Sequence, residues 1–393
     1  MASGRTQALV APALIRWTRT SAGLDVASAA KKLKVSTELV EAWETGERRP
    51  SLAQVRKMAS AYKRPLAVFY LPEPPQGFTP LKDFRTLAGK SQPHLTARLA
   101  IETRRAQQRR EVALEIAAAI EEPLPNFSLT AALGDNPAVV GDALRSVLGV
   151  SLEEQFGWKD KYEALNTWKV SVERAGVLVF QTENLPLSEA RGFSLASHPL
   201  PVVALNSKES PRGRVFTLMH ELAHIVLRAS GVCDLHDSGG SAKEVDVVEV
   251  FCNRVAGAAL IPQLSIPGSL EALGLADERE WKDDSLQSFA DRYCVSADAA
   301  LRSLVFAGRY SATSYAARHA VFVRAGEGDK RKNSGPVPYY RRALGWAGRR
   351  FARMALDAYD DQRISSSDLT EFLRVKMKQV EQIRTVLRKD SGK

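Results

Sequence analysis

The stretch VFTLMHELAHIVL, residues 215–227, is apolar nearly all round, as a helix enclosed by its own domain should be. The exceptions are Thr217, His220, Glu221 and His224, with Arg228 just beyond. They recur at spacings of three and four, so on a helix they form one polar stripe down an otherwise apolar rod. Two imidazoles one turn apart on that stripe can reach the same metal ion, with Glu221 beside them.

His-Glu-x-x-His is the zinc-peptidase signature. The competing reading, two core histidines bonded to backbone carbonyls, leaves three ionisable groups on one apolar helix without an evident partner. Histidine is also scarce: six in 393 residues, two of them on this stripe. A catalytic Zn2+ needs a third protein ligand and one open position. Downstream lie Asp234, Asp237, Glu244, Asp246 and Glu249, and residues 243–260 read as a second helix with Asp246, Glu249 and Asn253 on one face. Glu249, mid-helix among apolar residues, needs a cationic partner more than loop acids do and is the expected ligand, with Asp246 the runner-up. His236 is a rival, but its Gly/Ser surroundings predict a solvated side chain. Asn253, one turn past Glu249, is placed to orient that carboxylate.

Upstream, residues 162–175 read as a helix and 176–181 as a strand. Arg191-Gly192-Phe193 then leads into a second apolar strand, 201–206. A strand just before a metal helix is where zinc peptidases hold substrate backbone, by adding the peptide to a sheet edge. Arg191 is a candidate for oxyanion stabilisation or substrate positioning; a structural salt bridge is the alternative.

Residues 10–71 read as short helices. Asp25 is placed to cap one carrying Ala29, Ala30 and Leu33, Lys34-Val35-Ser36 makes a tight turn, and Ser36 or Thr37 caps the next, with Val40 and Trp43 facing inward. Gly46 ends that helix, and Ser51 starts one carrying Val55, Met58 and Tyr62. This is helix-turn-helix geometry. Glu38, Glu41 and Glu44 make the second helix of the pair acidic, and Arg48 and Arg49 flank it. DNA binding and protein docking are both open to such a module.

The proline-rich segment at 71–75 marks a boundary. A helical stretch at about 95–121 follows, expected as an arm holding two domains apart, with Arg104, Arg105, Arg109 and Arg110 in its middle on a solvated face and nucleic-acid contact through them the alternative. Towards the end of the chain, Val295-Ser296 repeats the turn logic of Val35-Ser36, in a helical buttress or a second DNA element. Residues 325–336 suggest a link, and 339–388 a small basic helical unit.

A net charge of +10 and a pI near 9.5 permit a nucleic-acid partner without requiring one. The three cysteines, Cys233, Cys252 and Cys294, form no disulfide or zinc-knuckle spacing. No apolar run reaches the length of a membrane span and no export signal is evident, so no membrane partner and a cytoplasmic location are expected.

Two resemblances now stand on these residues. Trp43-Glu44-x-Gly46-x-x-x-Pro50-Ser51-Leu52 resembles the Cro/C1 (XRE) helix-turn-helix family, which implies Ser36, Thr37, Glu38 and Glu41 as base-facing, with Val26 where glutamine is usual. Arg191-Gly192-Phe193, 203–206, Phe216 to His224, and Glu249-x-x-Cys252-Asn253-x-x-Ala256 resemble the ImmA/IrrE zinc metallopeptidases, in the subgroup that joins an XRE module to the peptidase. This implies His220, His224 and Glu249 as Zn2+ ligands and Glu221 as base. It also implies a repressor-type regulatory protein as substrate; other members sit beside toxins or mobile elements as regulators, which makes a toxin or mobile-element partner a further expectation. The alternative function is a DNA-binding regulator or antitoxin whose metallopeptidase-like domain senses or docks. The expected fold is α+β and mostly helical. It comprises a helix-turn-helix bundle at 10–75, a helical connector at 76–125, a zincin-like peptidase domain at 126–265, a buttress at 266–310 and a C-terminal helical unit at 336–393.

Overall fold

The computed structural model describes residues 7–62, 64, 66–71, 73, 96–121, 123–228, 242–278, 281–311, 313–315, 317–319, 321–322 and 337–391. The described residues are mostly helical with one three-stranded sheet, and the chain divides into two compact units, Met1–Arg105 and Ala106–Lys393. No single helix among the described residues is long and apolar enough to cross a membrane.

In the first unit, α1 (Pro12–Thr20), α2 (Val26–Leu33), α3 (Thr37–Thr45) and α4 (Leu52–Ala61) enclose Ile15, Ala29, Leu33, Val40, Trp43, Val55 and Met58. The caps are those the sequence predicts. Asp25 accepts from the Ser28 N–H, Ser36 from Leu39, and Ser51 forms a capping box with Gln54. Glu44 departs from expectation. It is buried and receives two bonds from the Arg19 guanidinium, at 2.6 and 2.8 Å. The exposed acids of α3 are therefore Glu38 and Glu41 alone, because the third turns inward to a cation.

α5 (Ala97–Ala119) follows. Its arginines are not a solvated face. Arg104 donates to the Ser21 carbonyl and Arg105 to Glu102 in the first unit; Arg110 donates to the Pro199 and Leu200 carbonyls in the second, where Arg109 lies 3.9 Å from Glu183.

The second unit runs through α6 (Pro137–Leu148), α7 (Leu152–Phe156), α8 (Lys161–Arg174), β1 (Leu178–Thr182), β2 (Gly192–Leu195), β3 (Val202–Asn206), α9 (Pro211–Arg228) and α10 (Ala242–Leu260). α11 (Ile266–Ala272), α12 (Asp283–Arg292) and α13 (Ala297–Phe306) come next, then α14 (Tyr339–Ala347), α15 (Arg349–Asp360), α16 (Ser366–Leu373) and α17 (Met377–Ser391). The strand order is β1-β3-β2, with β1 parallel and β2 antiparallel to β3. This overturns one expectation. β3 is paired along both sides, Ala204 opposite both Phe180 and Phe193, so its backbone groups are taken up within the sheet. The edge on the α9 side is β2.

α9 and α10 lie in one core with α6, α8, β3, α12 and α13. α6 meets α10 backbone to backbone: a Cβ on Gly141 would sit 2.5 Å from Ala258 Cβ and 2.8 Å from the Ala259 nitrogen. A buried polar relay closes the end of α10. Arg145 donates to Gln155 and to the Ala259 carbonyl, and Gln155 donates to the carbonyls of Leu260 and Tyr293. These four bonds tie three helices to the α12–α13 turn.

Candidate metal centre

α9 carries the polar stripe, and its apolar flanks hold it rigidly, since Leu218, Met219, Leu222, Ala223 and Val226 are all buried in the core. His220 and His224 project from successive turns, and their Nε2 atoms stand 3.1 Å apart. α10 brings Glu249 to the same point: Oε2 lies 3.3 Å from His220 Nε2 and Oε1 3.3 Å from His224 Nε2. The ligand atoms of these three residues all fall within 4.8 Å of one another, the one such group among the described residues.

Two tests show that a divalent ion fits. Ligands at zinc-like distances on a tetrahedron are about 3.3 Å apart, which is the spacing of these atoms. The protein's own charges also call for a cation. Burial raises the Glu249 carboxyl, yet the bonding imidazoles of His220 and His224 bring it far below the ordinary range. Burial likewise opposes charge on His224, yet Cys252, Glu249 and Glu221 hold its imidazole well above the usual value. Glu249 Oε1 is buried with no aligned donor.

Asn253 takes a different partner from the one expected. Its Oδ1 lies 3.1 Å from His220 Nδ1, so it orients an imidazole rather than the Glu249 carboxylate. An amide oxygen there requires the proton on Nδ1 and leaves the Nε2 lone pair pointing at the cluster.

Glu221 is buried on the sheet-facing side of α9, where Ser194 Oγ of β2 donates to its Oε2 at 3.0 Å. Gly192 permits this approach: a Cβ there would lie 2.6 Å from Thr217 Cγ2 and 3.5 Å from Glu221 Cγ. Ser194 was not singled out by sequence reasoning. The signal available in the sequence is that it is the one polar side chain in Gly192-Phe193-Ser194-Leu195. Arg191 makes the structural pair. Its guanidinium meets Glu209 at 2.9 Å, and Glu209 also accepts from Thr217 of the stripe. Asn206 secures the chain leading into β2 by donating to the Leu185 and Ala190 carbonyls.

The rival ligands Asp234, His236 and Asp237, the side chains of Glu244 and Asp246, and the link at 325–336 lie outside the described residues. In the first unit Ser36, Glu38, Glu41, Arg48 and Arg49 are exposed and Thr37 partly so.

Residues 172–304 match the family described as the IrrE N-terminal-like domain, and residues 13–68 match a helix-turn-helix domain. The chain is 32% identical over 132 residues to the radiation response metalloprotease IrrE of Deinococcus radiodurans, covering 33% of this chain and 38% of that protein. Against its Deinococcus deserti counterpart identity is 33% over 122 residues, covering 30% and 41%. The chain spans about two fifths of the length of the curated relatives it matches. Residues 172–304 of this chain are therefore similar to the IrrE N-terminal-like domain, and residues 13–68 to a helix-turn-helix domain.

Proposed function

We propose that this protein is a zinc-dependent endopeptidase acting on a regulatory protein of repressor type, with a DNA-binding module in the same chain. The observation that carries the reading is the triangle of His220, His224 and Glu249, with Glu221 on the helix that carries both histidines. His220, His224 and Glu249 would hold the ion, leaving a coordination position open. A divalent ion bound there supplies Lewis acidity toward a water and a scissile carbonyl.

Glu221 takes the proton from the attacking water and passes it to the leaving amine. Ser194 steadies one oxygen of that carboxylate. Asn253 keeps the His220 ring in one tautomer. The outer edge of β2 has no strand partner among the described residues, so an extended substrate segment pairs there, beside Glu221, through its own backbone. Arg191, tied to Glu209, holds the start of that strand.

In the helix-turn-helix domain, α3 faces the major groove with Ser36, Thr37, Glu38 and Glu41, and Arg48 and Arg49 contact phosphates. Glutamate accepts from cytosine, which gives the acidic helix a reading chemistry of its own.

Metal analysis of the purified chain, then incubation of wild type and Glu221→Gln with repressors encoded beside it, tests the proposal. The expected result is about one zinc per chain and cleavage by wild type alone. Cleavage by both, or by neither, sinks it and leaves the regulator reading, in which the metallopeptidase-like domain senses or docks.

A further inference from the structure

Lys34, Cys294 and Arg374 share a left-handed backbone state rare for residues with a Cβ, at φ of 57°, 53° and 55°. Each ends a helix and is followed by a valine whose N–H reaches back into that helix. Val35 donates to Ala30 at 3.1 Å, Val295 to Ala290 at 3.0 Å, and Val375 to Thr370 at 3.1 Å. This is the Schellman closure. In each case a new helix begins two residues after the valine, at Thr37, Ala297 and Met377. Among the described residues one helix-turn-helix corner therefore occurs three times, once in the first unit and twice in the second.

The third copy matches the first position by position. Ala29, Leu33, Val40 and Trp43 are buried in the first; Leu369, Leu373, Val380 and Ile383 take those places in the third and are buried too. Ser365 caps α16 as Asp25 caps α2. The copies differ in what their second helix shows to solvent. In the middle copy no residue from 292 to 307 is fully exposed, so that corner is spent inside the core. In the third copy Lys376, Met377, Lys378, Glu381, Gln382, Thr385 and Arg388 are exposed along one side of α17.

Charge separates the first and third copies. Residues 36–45 carry three carboxylates and no cation, whereas residues 376–388 carry four cations against one carboxylate. That carboxylate, Glu381, lies 3.4 Å from Arg384, which also forms a two-pronged pair with Asp360. The serines at 365–367 are exposed at the start of α16, the end that meets the DNA backbone when such a corner docks. The geometry points to α17 as a second DNA-reading helix. Lys376 and Lys378, at the places of Ser36 and Glu38, face the duplex with cations long enough to reach its phosphates, as does Arg388, and the Gln382 amide, exposed where its counterpart Ala42 is buried, reads a base edge, adenine being its usual partner. Arg374 is excluded from this set because it pairs with Glu183.

The test uses the full chain and a labelled mixed-sequence duplex, followed by fluorescence anisotropy between about 50 and 200 mM salt. Charge reversal of Lys376, Lys378 and Arg388 to Glu is placed in wild type and in a chain carrying Arg48→Glu and Arg49→Glu. In both backgrounds affinity at low salt should fall at least about tenfold, and the slope of log K against log salt should flatten by roughly 2 to 3, about 0.9 per phosphate contact. Lys378→Gln alone, which leaves the exposed face uncharged at one point, should flatten the slope by about 1. Gln382→Ala should leave the slope alone and narrow the spread of affinities among duplexes of different sequence. An unchanged affinity and slope in the triple variant overturns the proposal and leaves this face to a protein partner. Loss confined to the Arg48/Arg49 variant overturns it as well, and shows the first copy to be the sole contact.

Discussion

Ser194 on the edge strand donates a hydrogen bond to Glu221 on α9, Oγ to Oε2 at 3.0 Å. The strand proposed to receive substrate and the carboxylate proposed to move the proton are therefore joined directly. A bond to a charged acceptor contributes about 1.5–3 kcal/mol. Ser194→Ala is thus expected to slow cleavage roughly tenfold or more while metal content stays the same. Steady-state rates on a cleaved repressor, with metal analysis in parallel, decide it; an unaltered rate would show that the bond does not set the position of Glu221.

Asn253 is expected to act on metal affinity. With its oxygen on His220 Nδ1, truncation to alanine removes what orients the ring and holds its proton. Losses of this kind weaken binding about 10- to 100-fold. Competition against a chelator of known affinity measures the change. Equal affinities in wild type and Asn253→Ala would mean that packing alone fixes His220.

Gly192 is expected to tolerate no side chain. A methyl group at this position would meet Thr217 Cγ2 at 2.6 Å and the Ala204 carbonyl at 3.0 Å, and neither the helix nor the sheet can yield far. Gly192→Ala should cost about 1–3 kcal/mol, the usual range for overpacking. Its thermal midpoint should drop accordingly, and an unchanged midpoint would contradict the close approach of β2 to α9.

Glu173 is buried near the end of α8 and accepts the backbone N–H groups of Arg349 and Arg350, at 3.0 and 3.2 Å, where α15 begins. Burial raises its carboxyl, while Lys169 and those two N–H groups pull the other way. Burial lowers the Lys169 ammonium, one turn earlier, to about 8. Glu173→Ala strips the ammonium of its counter-charge and leaves both N–H groups unmet. The expected destabilisation is about 3–5 kcal/mol by denaturant titration. Glu173→Gln, which can still accept from the N–H groups, should cost less; equal losses would assign the whole effect to charge.

Much of the first unit was legible because caps and turns are local. Asp25, Ser36 and Ser51 act within three residues of their own positions, so the order of the chain states the interaction. Glu44 was misread for the complementary reason. Its partner Arg19 sits on another helix, and no spacing within α3 reports that. The arginines of α5 fail in the same way, since the carbonyls and carboxylates they meet come from distant segments.

The sequence by itself determined that two histidines and a glutamate share one buried helical stripe, because a period of 3.6 residues places them there whatever surrounds the helix. It also determined the helix-turn-helix corner of the first unit, whose backbone bonds close within a few residues. Only the tertiary structure decided that Glu249 completes the triangle, that Asn253 serves His220, and that β2 rather than β3 is the edge beside Glu221. Those outcomes depend on how α10 packs against α9 and on which strand takes the middle of the sheet. Both are settled by burial of apolar surface between segments far apart in the chain, which local pattern does not encode.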